Sequence, residues 1–191
     1  MPTPISKPVL RSTLKAGLGG ISTQSRTELS AQLCEQVLAS RMYGAARTIL
    51  CYASLPNEID LDPLITHALG DGKRVCVPMI DWERKSMWAA EIHNLDTDLV
   101  VGRYGVRTPV DGCLLVEPDD IDLILIPGLG FDRDLNRLGR GAGFYDRMIA
   151  GLSQPRPPLV GVCFASQIIA KVPTEAHDFP MDRVITENGF V

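Results

Sequence analysis

The chain has 191 residues, 45% of them hydrophobic and 22% charged, with a formal net charge of −4. That is enough for one well-buried core over residues 1–191, too short for two ordinary domains, and too mixed in composition for disorder or a coiled coil. The acidic balance argues against a general nucleic-acid binder and points instead to a small anion held in a local basic cleft.

In chain order, Ser6 and Pro8 open a first helix, with Lys7, Arg11 and Lys15 at four-residue spacing on one basic face and Leu10, Leu14 and Leu18 on the apolar stripe. Gly17, Gly19 and Gly20 break it, and a second helix is predicted from about Ser22 to Ser40 with Leu29, Leu33, Val37 and Leu38 inward. The run Thr48 to Ala53 reads as a buried strand, Asp62-Pro63 starts a helix through Leu69, and Arg74 to Pro78 returns as the next strand. Such a β-α-β unit favours parallel neighbours and a right-handed crossover. Met87 to Ile92, Leu123 to Ile126, Leu159 to Phe164 and Val184 to Thr186 supply further strands, while Ser153 to Pro158 is an exposed connection. The expectation is an α/β, Rossmann-like three-layer fold with a mainly parallel sheet and an N-terminal helix pair.

No apolar run is long enough to span a bilayer, and Met1 to Leu10 lacks the hydrophobic stretch of a leader. A soluble cytoplasmic protein is therefore expected, with no nucleic-acid or membrane partner. It is expected to be a monomer, a weak dimer being the alternative. The cysteines, Cys34, Cys51, Cys76, Cys113 and Cys163, are odd in number and lack any C-x-x-C pair, which argues against both zinc and a disulfide framework. Cys51, Cys76 and Cys163 sit in apolar runs and read as small buried hydrophobes.

Chemistry concentrates in Ile126 to Arg147, IPGLGFDRDLNRLGRGAGFYDR, directly after a strand. Gly139, Gly141 and Gly143 let backbone approach a ligand, and Arg137 and Arg140 bring guanidinium forks that match phosphate oxygens in pairs. Gly143 to Met148 reads as the first turn of a helix, whose N-terminus adds attraction for an anion. Neither G-x-x-x-x-G-K-[ST] nor G-x-G-x-x-G occurs: Gly128-x-Gly130 leads to Arg133, and Gly139-x-Gly141 leads to Phe144. A Gly-rich hairpin with solvated arginines is the competing interpretation.

This segment resembles the hallmark of the 5-formyltetrahydrofolate cyclo-ligase family. The resemblance extends over nearly the whole chain: Lys7-x-x-Leu10-Arg11 looks like the family's N-terminal nucleotide-binding helix, Asn57-Glu58-Ile59-Asp60 like its folate-side loop, and His177-Asp178 with Asp182 to Glu187 like its C-terminal signature. It implies an ATP- and Mg²⁺-dependent conversion of 5-formyltetrahydrofolate to 5,10-methenyltetrahydrofolate. Its accepted chemistry is attack of the formyl oxygen on the γ-phosphate and ring closure by N10 with loss of phosphate. By resemblance, Lys7, Arg11, Arg137, Gly139, Arg140, Gly141, Ala142, Gly143, Phe144 and Tyr145 would hold ATP. Ala53, Glu58, Tyr104, Arg140 and Phe144 would meet the reduced folate, with Arg140 and Glu58 catalytic. Asp146 and Asp178 would be the Mg²⁺ ligands, and His177 is left out of the metal site. Ala142 stands where many members carry glycine or lysine, and Phe144 replaces the first tyrosine of the usual pair. A paralogue that activates another small carboxamide with ATP, and a noncatalytic folate or nucleotide sensor, are the alternatives.

Overall fold

The computed structural model describes residues 6–191, so the first half of the stretch read for a leader lies outside the described residues. Two helices open the chain, α1 (Lys7–Gly19) and α2 (Thr23–Leu38). Pro8 sits in the first turn of α1, where no intrahelical N–H is needed, and the helix stops among its glycines as expected. Ser22 caps α2, its hydroxyl accepting from the Ser25 N–H at 3.1 Å. A short helix, α3 (Arg41–Ala45), leads into β1 (Thr48–Leu50), and α4 (Asp62–Gly70) crosses to β2 (Arg74–Asp81). There follow β3 (Ser86–Ile92), the strand pair β4 (Leu99–Val101) and β5 (Arg107–Pro109), β6 (Leu115–Val116) and β7 (Leu123–Pro127). A second small pair, β8 (Gly130–Phe131) and β9 (Arg137–Leu138), precedes α5 (Phe144–Ala150), β10 (Leu159–Val162), β11 (Arg183–Thr186) and β12 (Gly189–Phe190).

Eight strands form one sheet in the order β12-β11-β10-β7-β1-β2-β3-β6. The five central strands from β11 to β2 are parallel, and the antiparallel β12, β3 and β6 finish the edges. Central strands covered on both faces read as near-continuous apolar runs, and β1, β7 and β10 are buried almost throughout. Side chains then alternate between two cores. Ile49, Leu123, Leu125, Val160 and Val162 pack with Leu33, Val37, Leu64 and Ile65 of α2 and α4. Leu50, Ile124, Ile126, Leu159 and Val184 pack on the other face with Ile149 and Leu152, in and just after α5. Three layers result, as expected.

The differences from the sequence reading are local. The ladder of β1 ends at Leu50, although the Cys51 N–H still donates to the Cys76 carbonyl at 2.9 Å; Tyr52 and Ala53 leave the ladder to line a cavity. β2 runs on past Pro78 to Asp81 because β3 folds back on it as a hairpin. Cys51, Cys76 and Cys163 are buried and free, as is Cys34. Burial pushes the Cys76 thiol up to about 12 and that of Cys34 up to about 11, which suits inert core residues.

One buried polar residue organises the turn before β9. Asp132, 0% exposed, accepts from the N–H groups of Asp134 and Asn136, from the Asn136 amide, and from the N–H of Val172 at 2.8 Å. Replacing it with alanine removes four accepted hydrogen bonds, three of them from part-buried donors at about 0.5–1.5 kcal/mol each, and leaves the buried Val172 N–H unsatisfied at about 1–3 kcal/mol. Thermal unfolding of Asp132→Ala is expected to show a midpoint at least about 6 °C lower, given about 2–4 °C per kcal/mol at this chain length. An unchanged midpoint would contradict this role.

Candidate active site

In the sheet order, β1 continues to β2 on one side, whereas β7 continues to β10 on the other. Their boundary is a topological switch point, and ligands bind beyond the carboxyl ends of the strands there. A cavity of about 670 Å³ opens at that place, floored by Tyr52 and Ala53 after β1 and by Pro127 and Gly128 at the end of β7. That size suits a bulky small-molecule ligand.

Every site residue nominated from the sequence lines this one cavity: Lys7, Arg11, Ala53, Glu58, Tyr104, Arg137, residues 139–145, Asp146 and Asp178. Lys15, one turn further along the basic stripe of α1, is exposed and lies outside it. The structure also shows what the cations hold. Lys7 Nζ lies 2.7 Å from Asp178 Oδ2 and 3.3 Å from Glu175. Arg11 Nε donates to the Gly139 carbonyl at 3.0 Å. Arg140 reaches across to the loop after β1, donating to Glu58 Oε1 at 2.9 Å and to Asn57 Oδ1 at 3.0 Å. Glu58 in turn accepts the Leu55 N–H at 3.0 Å.

Arg137 is placed differently from the others. Its side chain is 6% exposed, donates to Asp146 Oδ1 at 2.7 Å and sits over the Tyr145 ring, and its buried Nε finds no partner among the described residues. The small β8–β9 hairpin is therefore no exposed tip with solvated arginines: one guanidinium is packed behind the loop and the other is ion-paired over the cavity. Gly141 and Gly143 hold φ of 106° and 69°, the left-handed region that favours glycine. Gly139 does not; a Cβ there would meet the Arg137 guanidinium at 2.9 Å, so this glycine makes room for arginine.

Burial disfavours the charged ammonium of Lys7, but its two carboxylates outweigh this and hold its pKa above the ordinary value. Burial likewise opposes ionisation of Asp178, yet the Lys7 ammonium and the Glu175 N–H hold its pKa below the usual carboxylate range. Both groups are charged at neutral pH, which ties α1 to the loop before β11. Burial, chiefly, pushes the Tyr145 and Tyr52 hydroxyls up, so neither ring acts as a base.

The opposite wall is aromatic. Trp82, in the β2–β3 turn, meets Tyr104 and Phe144 edge-on, with ring centroids 5.1 and 5.2 Å apart. Tyr104 is 72% exposed at φ 59°, a strained left-handed position unlike that of an ordinary packed tyrosine. Sequence reasoning missed Trp82, Arg107 and Glu175 in this lining; a tryptophan inside the polar turn Asp81 to Lys85 was the available signal. It also missed Gln167, whose amide donates to the Gly128 and Leu129 carbonyls and accepts the Phe164 N–H, fixing the end of β7.

Asp146 and Asp178 both face the cavity but make no shared carboxylate cluster, and among the described residues no group of three or more His, Cys, Asp or Glu surrounds a common point. Each instead neutralises a cation. A metal held here would need most of its oxygen ligands from a bound substrate and water, the usual arrangement for Mg²⁺ with phosphates.

A doubly wound sheet whose switch point carries paired cations, carboxylates and an aromatic wall has the form of a small α/β enzyme, with room for an anion beside a flat ring. The chain belongs to the 5-formyltetrahydrofolate cyclo-ligase family, whose model matches residues 4–187. A mouse 5-formyltetrahydrofolate cyclo-ligase is 28% identical over 188 residues, covering 94% of this chain and 93% of the relative. One from Escherichia coli K12 is 26% identical over 167 residues, covering 87% and 92%. Among solved structures, the Aquifex aeolicus 5,10-methenyltetrahydrofolate synthetase superposes with a TM-score of 0.84 at 28% identity, over 97% of this chain and 92% of that one. A Mycoplasma pneumoniae 5,10-methenyltetrahydrofolate synthetase shares the fold with a TM-score of 0.77 at 22% identity, over 96% and 99%.

Proposed function

We propose that this protein closes 5-formyltetrahydrofolate to 5,10-methenyltetrahydrofolate, consuming ATP and releasing ADP and phosphate. The observation that carries the reading is the Arg140–Glu58 pair, 2.8 Å apart, because it joins the glycine-rich loop to the loop after β1 in the cavity lining. An electrophile-activating cation and a nitrogen-facing carboxylate are what the reaction needs side by side.

A formamide is a poor electrophile and its oxygen a poor leaving group. In the proposed sequence the formyl oxygen attacks the γ-phosphorus, the bond to the β-phosphate oxygen breaks, and ADP departs. N10 then adds to the activated carbon and loses its proton, and the C–O bond breaks to release phosphate. Arg140 turns from Glu58 to the phosphoryl oxygens, where a fixed cation acts on charge spread over them. Glu58, 9% exposed and still anchored by Leu55, holds the N10 side. Lys7, Arg11 and the 139–143 backbone grip the phosphates, and the Trp82, Tyr104 and Phe144 rings pack on the folate.

The charge inventory supports a metal. The lining contains five basic side chains, Lys7, Arg11, Arg107, Arg137 and Arg140, against four carboxylates, Glu58, Asp146, Glu175 and Asp178. So near a balance leaves little surplus for a triphosphate. Asp146 and Asp178 would hold Mg²⁺, which supplies that positive charge when bound.

Glu58→Gln separates the two substrates. It is expected to raise KM for 5-formyltetrahydrofolate at least about fivefold, about 1 kcal/mol, with KM for ATP within about twofold. Equal effects on both would remove Glu58 from the folate side. Calorimetry on the unaltered protein tests the reading more broadly: ATP binding without folate binding would favour a paralogous activity on another carboxamide, and binding of both with no turnover would favour a sensor.

A further inference from the structure

Arg147, on the outer face of α5, is absent from the cavity lining and has no role in the reading above. Its contacts nonetheless connect three parts of the site. Nη2 donates to the Ala142 carbonyl at 2.8 Å, Nε donates to the Lys85 carbonyl at 2.6 Å, and the guanidinium lies 5.4 Å from the centre of the Phe144 ring. The same group fills the space above Gly143, where a Cβ would meet it at 2.9 Å. No carboxylate pairs with Arg147 among the described residues. Its fork is used on two backbone carbonyls that belong to separate loops, 62 and 5 residues away in sequence, and on one ring.

Both loops contribute to the cavity lining, one through Ala142 and Gly143 and the other through Trp82. Ala142 and Gly143 belong to the glycine-rich loop, Lys85 belongs to the β2–β3 turn that carries Trp82, and Phe144 touches Trp82. A planar guanidinium can hold two carbonyls in fixed geometry and stack on a ring at once, which an ammonium cannot do. Moving either loop alone would break one of the two hydrogen bonds.

We propose that Arg147 is a positioning residue that fastens the glycine-rich loop to the aromatic wall, so that the two substrates bind cooperatively. Ordering of one loop by its ligand lowers the cost of ordering the other, and that saving is a coupling free energy between the sites. The proposal rests on the assignment of the glycine-rich loop to the nucleotide and of the aromatic wall to the folate.

The test is a calorimetric cycle. Affinity for 5-formyltetrahydrofolate is measured with and without saturating Mg²⁺ and the β,γ-methylene analogue of ATP, in the unaltered protein, Arg147→Gln and Arg147→Lys. In the unaltered protein the nucleotide is expected to tighten folate binding at least about fivefold, the lower end of ordinary coupling. Both variants are expected to lose it, to within about twofold, while each ligand alone binds within about threefold of its original affinity. Lysine should fail as glutamine does, since charge without the fork cannot span two carbonyls. Retained coupling in Arg147→Gln, full rescue by Arg147→Lys, or absence of coupling in the unaltered protein would each overturn the proposal. Failure of the unaltered protein to bind either ligand alone would overturn the functional reading, and the proposal with it. Arg147 is exposed, so both variants should fold.

Discussion

Arg140→Ala is expected to lower kcat at least about tenfold, a loss of about 1.4 kcal/mol in transition-state stabilisation, while the protein stays folded. The two effects separate because Arg140 is cheap to remove structurally. Its side chain is 33% exposed, and a partly solvated ion pair contributes only about 0–1 kcal/mol to stability, so the melting temperature should fall by less than about 4 °C. Glu58 keeps its bond from the Leu55 N–H and is not stranded. A merely structural pair would give the reverse pattern, with lost stability and unchanged kcat, and that result would remove Arg140 from the chemistry. Steady-state kinetics and thermal unfolding on one preparation decide between them.

Asp146 should behave in the opposite way. Its partner Arg137 is 6% exposed and Asp146 itself 21%, so Asp146→Ala leaves a buried guanidinium without its carboxylate. Breaking a fully buried pair costs about 3–5 kcal/mol, and the partial exposure here places the expected cost near the lower bound, about 2–3 kcal/mol. The melting temperature should drop by about 4–12 °C. Asp146→Asn retains an oxygen to accept from Arg137 and should lose much less. What asparagine cannot supply is the negative charge a hard cation needs. The half-saturating Mg²⁺ concentration for turnover is therefore expected to rise at least about tenfold, about 1.4 kcal/mol of binding. Unchanged Mg²⁺ dependence in Asp146→Asn would restrict Asp146 to holding Arg137.

Part of the cavity lining was legible from local pattern, because the glycines and arginines of the 137–143 segment are contiguous and their types suit an anion loop. Lys7 and Arg11 lie one turn apart on α1, but their spacing alone reads as a solvated basic stripe, and only the family resemblance placed them, with Ala53, Glu58, Tyr104, Asp146 and Asp178, at the cavity. Pairing was not legible, since it depends on chain segments that only the sheet brings together. Arg140 meets Glu58 across 82 residues and Lys7 meets Asp178 across 171; no period or motif relates them. The same holds for Asp132, whose carboxylate serves Val172 forty residues on. Its Asp-x-Asp-x-Asn surroundings look like any polar turn.

The central strands were readable for a related reason. β7 and β10 are buried on both faces, so their sequences, LILIP and LVGV, are unbroken apolar runs. The two-residue strands β6, β8, β9 and β12 have no room for a period, and they form where tertiary neighbours supply the partner. Trp82 shows the functional cost of this. Its place opposite Phe144 follows from how the β2–β3 hairpin leans over α5, which a sequence does not express.

The most direct test is turnover of purified protein with 5-formyltetrahydrofolate, ATP and Mg²⁺, read by the near-ultraviolet absorbance of the methenyl product against ADP released. The account expects one product per ADP, no product when either ATP or Mg²⁺ is withheld, and loss of the signal in Arg140→Ala. Folded protein that forms no methenyl product at high concentration, with ATP left intact, would contradict it.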